Sequence, residues 1–121
     1  MRNSFIYYGF NKDMILKALL NYSNNIEYIS ILISNHDKNE SILPKDYINY
    51  ELLAGVGLND ILISNNNSFK NLKDFHFQKK DWLFGYLSYE LKNEIEDEIS
   101  SNNTDNFNAD NLSFFIPEYV L

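Results

Sequence analysis

Few residues in this chain could do chemistry. His36 and His76 are the only histidines, and there is no cysteine. His36-Asp37 could in principle ligate a metal, yet no second ligand pair stands at a suitable spacing. A solvated loop histidine is the plainer reading. Several serines occur, but none sits in a nucleophile-elbow pattern and no Ser/His/Asp set emerges. Without cysteine, thiolate chemistry and disulfide staples are both excluded. Carboxylates gather from Glu90 to Glu98, where they could pair for acid–base work or hold magnesium. Glu94 and Glu98 flank the apolar Ile95, however, so this stretch reads as the solvated face of a helix. Lys92 and Glu96, four apart, can form a weak exposed pair. Gly55-Val56-Gly57 is a lone GxG with no following GxxG, and a dinucleotide fingerprint fails. Backbone relief beside a hairpin, or a bulge, accounts for it. Gly85 stands between Phe84 and Tyr86, where a missing side chain implies that another group packs close against the backbone.

The elements that would position these residues follow from periodicity. Ser4 to Phe10 is aromatic and reads as a first strand. Asn11 is an N-cap with Asp13 in the first turn, and Ile15, Leu16, Leu19 and Leu20 form one helical stripe ending near Asn24-Asn25. Glu27 to Ser34 alternates, with Ile29, Ile31 and Ile33 on one face of a strand. A polar connection containing Pro44 leads to a strand over Tyr47 to Gly57. Asn59-Asp60 then predicts a hairpin turn into Ile61 to Ser64. Ser68 caps a short helix on which Phe69, Leu72 and Phe75 share a face. Asp81 to Leu87 carries large residues on both faces and reads as a strand buried on both, with Trp82, Phe84 and Tyr86 in the core. Leu91, Ile95 and Ile99 predict a helix after it, and Leu112 to Ile116 a final aromatic strand. Ser64 to Ser68 and Ser100 to Asn111 are polar and read as surface loops. The order β-α-β-β-β-α-β-α-β favours an α+β fold with a mixed or antiparallel sheet and two to three helices.

Composition sets the outer bounds. The chain has 121 residues, 45% of them hydrophobic and 16% aromatic, too apolar a composition for a disordered segment. Its length suits one domain or part of one. The net charge of −7 repels phosphate backbones and argues against nucleic acid as a partner. No apolar run of the ~18 residues needed to span a bilayer is present, and Met1 to Phe5 opens no signal peptide. The expected location is cytoplasmic, with no membrane partner. The sequence closes on Pro117-Glu118-Tyr119-Val120-Leu121, an apolar run where termini are usually exposed and polar. That end reads as part of a larger unit.

One stretch carries more. The run from Asp81 through Glu96 resembles a signature of component I of aminodeoxychorismate (para-aminobenzoate) synthase and anthranilate synthase. That family has Gly-Tyr/Leu-x-x-Tyr-Asp-Leu with a downstream Glu, matched here by Gly85, Tyr86, Tyr89, Glu90, Leu91 and Glu96. Glu90 replaces the usual Asp. Lys92-Asn93-Glu94 and the Phe-Phe-x-Pro at Phe114 to Pro117 look most like the Bacteroidetes-type versions. Upstream, Leu32-Ile33-Ser34 and Tyr47-Ile48-Asn49-Tyr50 are similar to two family motifs that wrap a bound tryptophan. Ser34 and Tyr47 match, while Asn49 stands where the family has Arg, which removes a cation that could partner nearby carboxylates.

The resemblance implies that residues 1–121 are the N-terminal domain of component I, an incomplete part of a larger α/β-sandwich fold. The carboxy-terminal chorismate-binding domain, which carries the catalytic residues, would lie outside this chain, so no catalytic position carries over. The implied reaction is amination of chorismate with magnesium in the full-length enzyme. Its ammonia would come from a glutamine amidotransferase, component II. The implied ligand set, for tryptophan, is Ser34, Tyr47, Asn49 and Tyr50. Two alternatives stay open: an anthranilate synthase domain with tryptophan feedback binding, and a stand-alone amino-acid-binding module.

Overall fold

The computed structural model describes residues 2–34, 50–95 and 109–121. Helix α1 spans Lys12–Tyr22 and starts where Asn11 predicts, the Asn11 side chain accepting from the Met14 N–H at 2.9 Å. Leu19 is buried on the expected stripe, but Leu20 is exposed, and the helix closes through a 3-10 turn at Ser23–Asn25. Strand β1 is Ile29–Ile33, and β2 is Leu52–Val56. Strand β3 is Asp60–Ser64, helix α2 is Ser68–Lys79, and β4 is Phe84–Leu87. A 3-10 helix at Tyr89–Glu94 is followed after residue 108 by β5, Leu112–Ile116, and β6, Tyr119–Val120.

The strands form two antiparallel three-stranded sheets, ordered β1-β2-β6 and β3-β5-β4. The fold is α+β. The expected hairpin at Asn59-Asp60 is not one, because β2 and β3 belong to different sheets. The chain crosses from the first sheet to the second at Gly57 to Asn59, and returns at Pro117-Glu118 between β5 and β6. The two crossings are bonded to each other. The Asn59 N–H donates to the Ile116 carbonyl at 2.8 Å, and its side-chain amide donates to the Pro117 carbonyl at 3.2 Å. Gly57 takes a positive φ of 77°, and a side chain there would strike the Glu118 carboxylate. The positive φ is what favours glycine at this crossing, since the exposed Glu118 side chain could swing aside.

Between the sheets the core is aromatic. Phe84 pairs with Phe115 in the β4–β5 register, and both are buried. The Phe115 ring reaches Tyr28 at 5.6 Å, while Phe84 is followed by Trp82 at 6.4 Å and Trp82 by Tyr50 at 6.5 Å. These spacings suit offset and edge-to-face contact. Phe84 lies flat on the β2 backbone at Gly55, where an added Cβ would come within 2.7 Å of the ring. The first glycine of the GxG thus admits a ring from the other sheet.

Several expectations need correction. Ser4 to Phe10 forms neither helix nor strand, since no sheet edge pairs with it and a lone strand is unstable in water. Its Phe5, Ile6, Tyr7, Tyr8 and Phe10 are 62–86% exposed. Strand β4 is an edge strand rather than a doubly buried one: only Phe84 is buried, and Trp82 and Tyr86 are exposed. Within the expected strand Tyr47 to Gly57, Tyr50 and Glu51 are outside β2. The expected helix through Ile99 is a 3-10 helix as far as Glu94, with Ile95 exposed, and residues beyond 95 lie outside the described part until 109.

Gly55 and Phe84 supply a test by double-mutant cycle in urea unfolding. Phe84→Ala is expected to cost about 3–5 kcal/mol, and Gly55→Ala about 1–3 kcal/mol. In the Phe84→Ala background, the Gly55→Ala penalty should fall by more than half, because the ring that its Cβ would strike is gone. Additive penalties would show that the two residues do not press on each other.

Candidate functional site

The stretch from Asp81 to Ile95 is held at both ends by bonds that local pattern does not reveal. At its start, the Asp81 carboxylate accepts from the Trp82 N–H at 2.8 Å and from Arg2 Nε at 2.6 Å. The same guanidinium donates to the Pro117 carbonyl at 2.6 Å and the Glu118 carbonyl at 2.9 Å. One planar fork therefore joins the N-terminal residues, the approach to β4 and the β5–β6 crossing. Burial pushes the Asp81 carboxyl up; the Arg2 hydrogen bond, the Trp82 N–H and the Arg2 charge together outweigh it, and the group stays below its ordinary value of 3.8.

At the other end, Glu94 is exposed, as its spacing predicts, but it also has a partner that spacing does not reveal. Its carboxylate accepts from the Ser68 N–H at 2.7 Å and from the Ser68 hydroxyl at 2.6 Å. Ser68 is fully buried as the first residue of α2, and the preceding Asn67, in a left-handed conformation, makes no side-chain cap bond. Glu94 thus caps α2 from 26 residues away, placing a negative charge at the positive helix end. Sequence reasoning missed this because a cap is sought within a few residues of the helix start.

Between these anchors β4 runs along β5. A side chain at Gly85 would collide with the Ser113 carbonyl oxygen and come within 2.6 Å of the Phe114 Cα, so the close approach expected at Gly85 is found. Tyr86, Leu87 and Tyr89 point to solvent, and Leu91 is buried. Lys92 Nζ sits 4.2 Å from the Tyr89 ring centroid, a cation–π contact, and Asn93 donates to Glu90 at 3.0 Å. Glu96 lies outside the described residues.

Of the four ligand positions read from the sequence, Tyr47 and Asn49 lie outside the described residues, as does His36. Ser34 and Tyr50 come to the same end of the first sheet, because the Ser34 N–H donates to the Glu51 carbonyl at 3.1 Å just past the Ile33–Leu52 pair. Tyr50 then meets Trp82 edge-on. Trp82 in turn lines an open cleft of about 700 Å³ with Arg2, His76, Lys80, Asp81 and Leu83. Among the described residues no cluster of three or more His, Asp or Glu could hold a metal, and no helix is long and apolar enough to cross a membrane. In comparisons with known proteins, no family model, no curated sequence and no solved structure matches the chain.

The two anchors have separable consequences. Glu94→Gln should lower stability by about 1–2 kcal/mol and speed hydrogen exchange in the first turn of α2; unchanged exchange there would show that the cap is idle. Asp81 has a folded pKa below its unfolded one, so its contribution is complete above about pH 4 and is lost as pH falls through the folded value. Asp81→Asn should flatten that acid limb of the stability profile, measured by denaturant midpoints from pH 6 down to about pH 2.

Proposed function

We propose that this chain is the N-terminal scaffold of a chorismate-aminating synthase, the component that would turn chorismate and glutamine-derived ammonia into aminodeoxychorismate. In this reading residues 1–121 contribute no catalytic group. They cover and orient a chorismate-binding domain that holds magnesium, in an enzyme supplied with ammonia by a glutamine amidotransferase in the cytoplasm.

The observation that carries the reading is apolar surface left in water. Phe5, Ile6, Tyr7, Tyr8 and Phe10 are exposed together in an uncharged segment, and Tyr86, Leu87 and Tyr89 are exposed within the family-like stretch. Patches of this kind mark surfaces meant for another protein layer, and burying them would be driven by the apolar area removed from water. The resemblance at Gly85 to Glu96 names the layer; the spread of exposed aromatics gives it something to cover.

The test begins with the coding frame, which is expected to continue past Leu121 into a chorismate-binding domain. The protein so extended should convert chorismate to aminodeoxychorismate with ammonia and Mg²⁺, and the 121-residue chain should turn over none. Backbone amides of residues 5–10 should exchange at least roughly tenfold more slowly in the extended protein. A frame that runs into unrelated sequence, or an isolated chain that consumes chorismate, would sink the proposal.

The juxtaposition of Ser34 with Tyr50 favours a second reading, an amino-acid site for tryptophan at that end of the first sheet. Calorimetry with tryptophan and phenylalanine tests it, and no heat at millimolar ligand would rule it out.

A further inference from the structure

The two sheets leave edges at β1, β3, β4 and β6, and an open edge is a template for pairing with another chain. Three of these edges are guarded. Strand β6 has two residues, and β4 has four with a glycine among them. Strand β3 has helix α2 fastened to both its ends, Asn71 donating to Ser64 Oγ at 2.9 Å and Lys79 meeting Asp60 at 2.6 Å. Strand β1 has no such device among the described residues. From Tyr28 to Ser34 the chain carries no charge, proline or glycine, and Leu32 and Ile33 are 56% and 44% exposed. It lies on the other sheet from the Gly85 to Glu96 stretch, so its chemistry is independent of the scaffold reading.

The ladder decides which backbone groups of β1 are engaged. The Gly57 N–H donates to the Tyr28 carbonyl at 2.9 Å and the Ser34 N–H to the Glu51 carbonyl at 3.1 Å, one at each end of the register from Ile29↔Val56 to Ile33↔Leu52. Hydrogen-bonded pairs alternate along an antiparallel ladder. Tyr28, Ser30, Leu32 and Ser34 therefore direct their backbone groups at β2. Ile29, Ile31 and Ile33 direct theirs outward, and no described residue bonds to them there.

All three outward positions are isoleucine. The strand Ile29-Ser30-Ile31-Leu32-Ile33 presents isoleucine at each of them when read in either direction. A second β1 laid antiparallel about a two-fold axis at Ile31 sets Ile31 against Ile31 and Ile29 against Ile33. Each of these is a hydrogen-bonded pair that exchanges both of its bonds. The isoleucine side chains then meet on one face of the joined sheet, where β-branched cross-strand pairs are favourable. Charge agrees with this arrangement. In a chain of net charge −7, two copies can approach along neutral β1 without opposing like charges, and their Glu27 carboxylates fall at opposite ends of the pair, beyond a Debye length.

We propose that β1 is a self-pairing edge through which two copies of this chain join, antiparallel about Ile31, into one continuous sheet with three strands from each copy. A single strand pair buries less than a standard interface, so the dimer is weak. Sedimentation of the 121-residue chain should show a monomer–dimer equilibrium with a Kd on the order of 100 μM. Ile33→Lys places a charge at an exposed position on the shared edge; it should weaken the dimer at least about tenfold and leave the unfolding midpoint of the monomer level.

Crosslinking reads the register. The chain has no cysteine, so an introduced one is its only thiol. The Cα atoms of a hydrogen-bonded pair stand about 5.5 Å apart, within reach of a disulfide. Ile33 of one copy stands opposite Ile29 of the other and is out of reach of its own counterpart. With diamide as the oxidant, Ile31→Cys should form a covalent dimer, and Ile33→Cys at least about tenfold less of it. A chain that stays monomeric up to about 1 mM overturns the proposal. So does a dimer that survives Ile33→Lys, or one that crosslinks no better through Ile31→Cys than through Ile33→Cys, since another segment or another surface would then make the contact.

Discussion

The fold depends on two backbone crossings lying side by side. Among the described residues each sheet has three strands, and β2 and β5 stand at the centres of their sheets. The chain leaves β2 for the second sheet at Gly57 and leaves β5 for the first at Pro117, so the sheets are joined where Asn59, Ile116 and Pro117 exchange hydrogen bonds. The Pro117 carbonyl is the shared acceptor, taking the Asn59 amide from one crossing and Arg2 from the N-terminal residues. Because Pro117 is fully buried, leaving that oxygen without donors would carry the full desolvation penalty of a buried carbonyl. Arg2, which has no helix or strand of its own, thereby becomes part of the framework.

Much of the secondary structure was legible in the chain. Asn11 announced α1 because capping is a local event: one side chain, three residues from its partner. Leu112 to Ile116 was found as β5 without error because a short aromatic run between polar tracts has few other fates. Gly85 declared a close approach because a glycine amid aromatics has little else to explain it. What could not be read was which strand lies beside which. Ile61 follows Asn59-Asp60 as it would in a hairpin, and only the partner of β3, found 50 residues later in β5, shows otherwise. Burial on β4 was overread for the same reason, since Trp82, Phe84 and Tyr86 look alike in sequence whether a strand is central or at an edge.

The candidate site was less legible than the fold. Ser34 and Tyr50 could be paired in advance through resemblance, and the β1–β2 register does bring them to one end of the sheet. Arg2 gave no signal, and the pairing of Ser68, read only as a helix cap, with Glu94, read only as a solvated carboxylate, could not be seen, because each acts through a partner 26 to 116 residues away. Glu94 is the instructive case. Its neighbours Glu90 and Lys92 are half-buried and make only local contacts, and its spacing set it among them. Helix α2 begins on a buried serine with no local cap, and the need of that helix for an acceptor explains Glu94 better than its own surroundings do.

The place of β5 also governs how the chain can be made. As the middle strand of its sheet, β5 is the partner of both β3 and β4 among the described residues, yet it follows both of them in the chain. Until Leu112–Ile116 emerges, both neighbours wait with open edges, and the Arg2 bonds to Pro117 and Glu118 must close a loop of more than a hundred residues, about 2 kcal/mol more in chain entropy than a ten-residue loop. Synthesis therefore passes through a long interval in which Phe84, Leu62 and Ile63 have no ladder to join. In that interval the nascent protein is at its most prone to pair with the wrong strand, or with another chain.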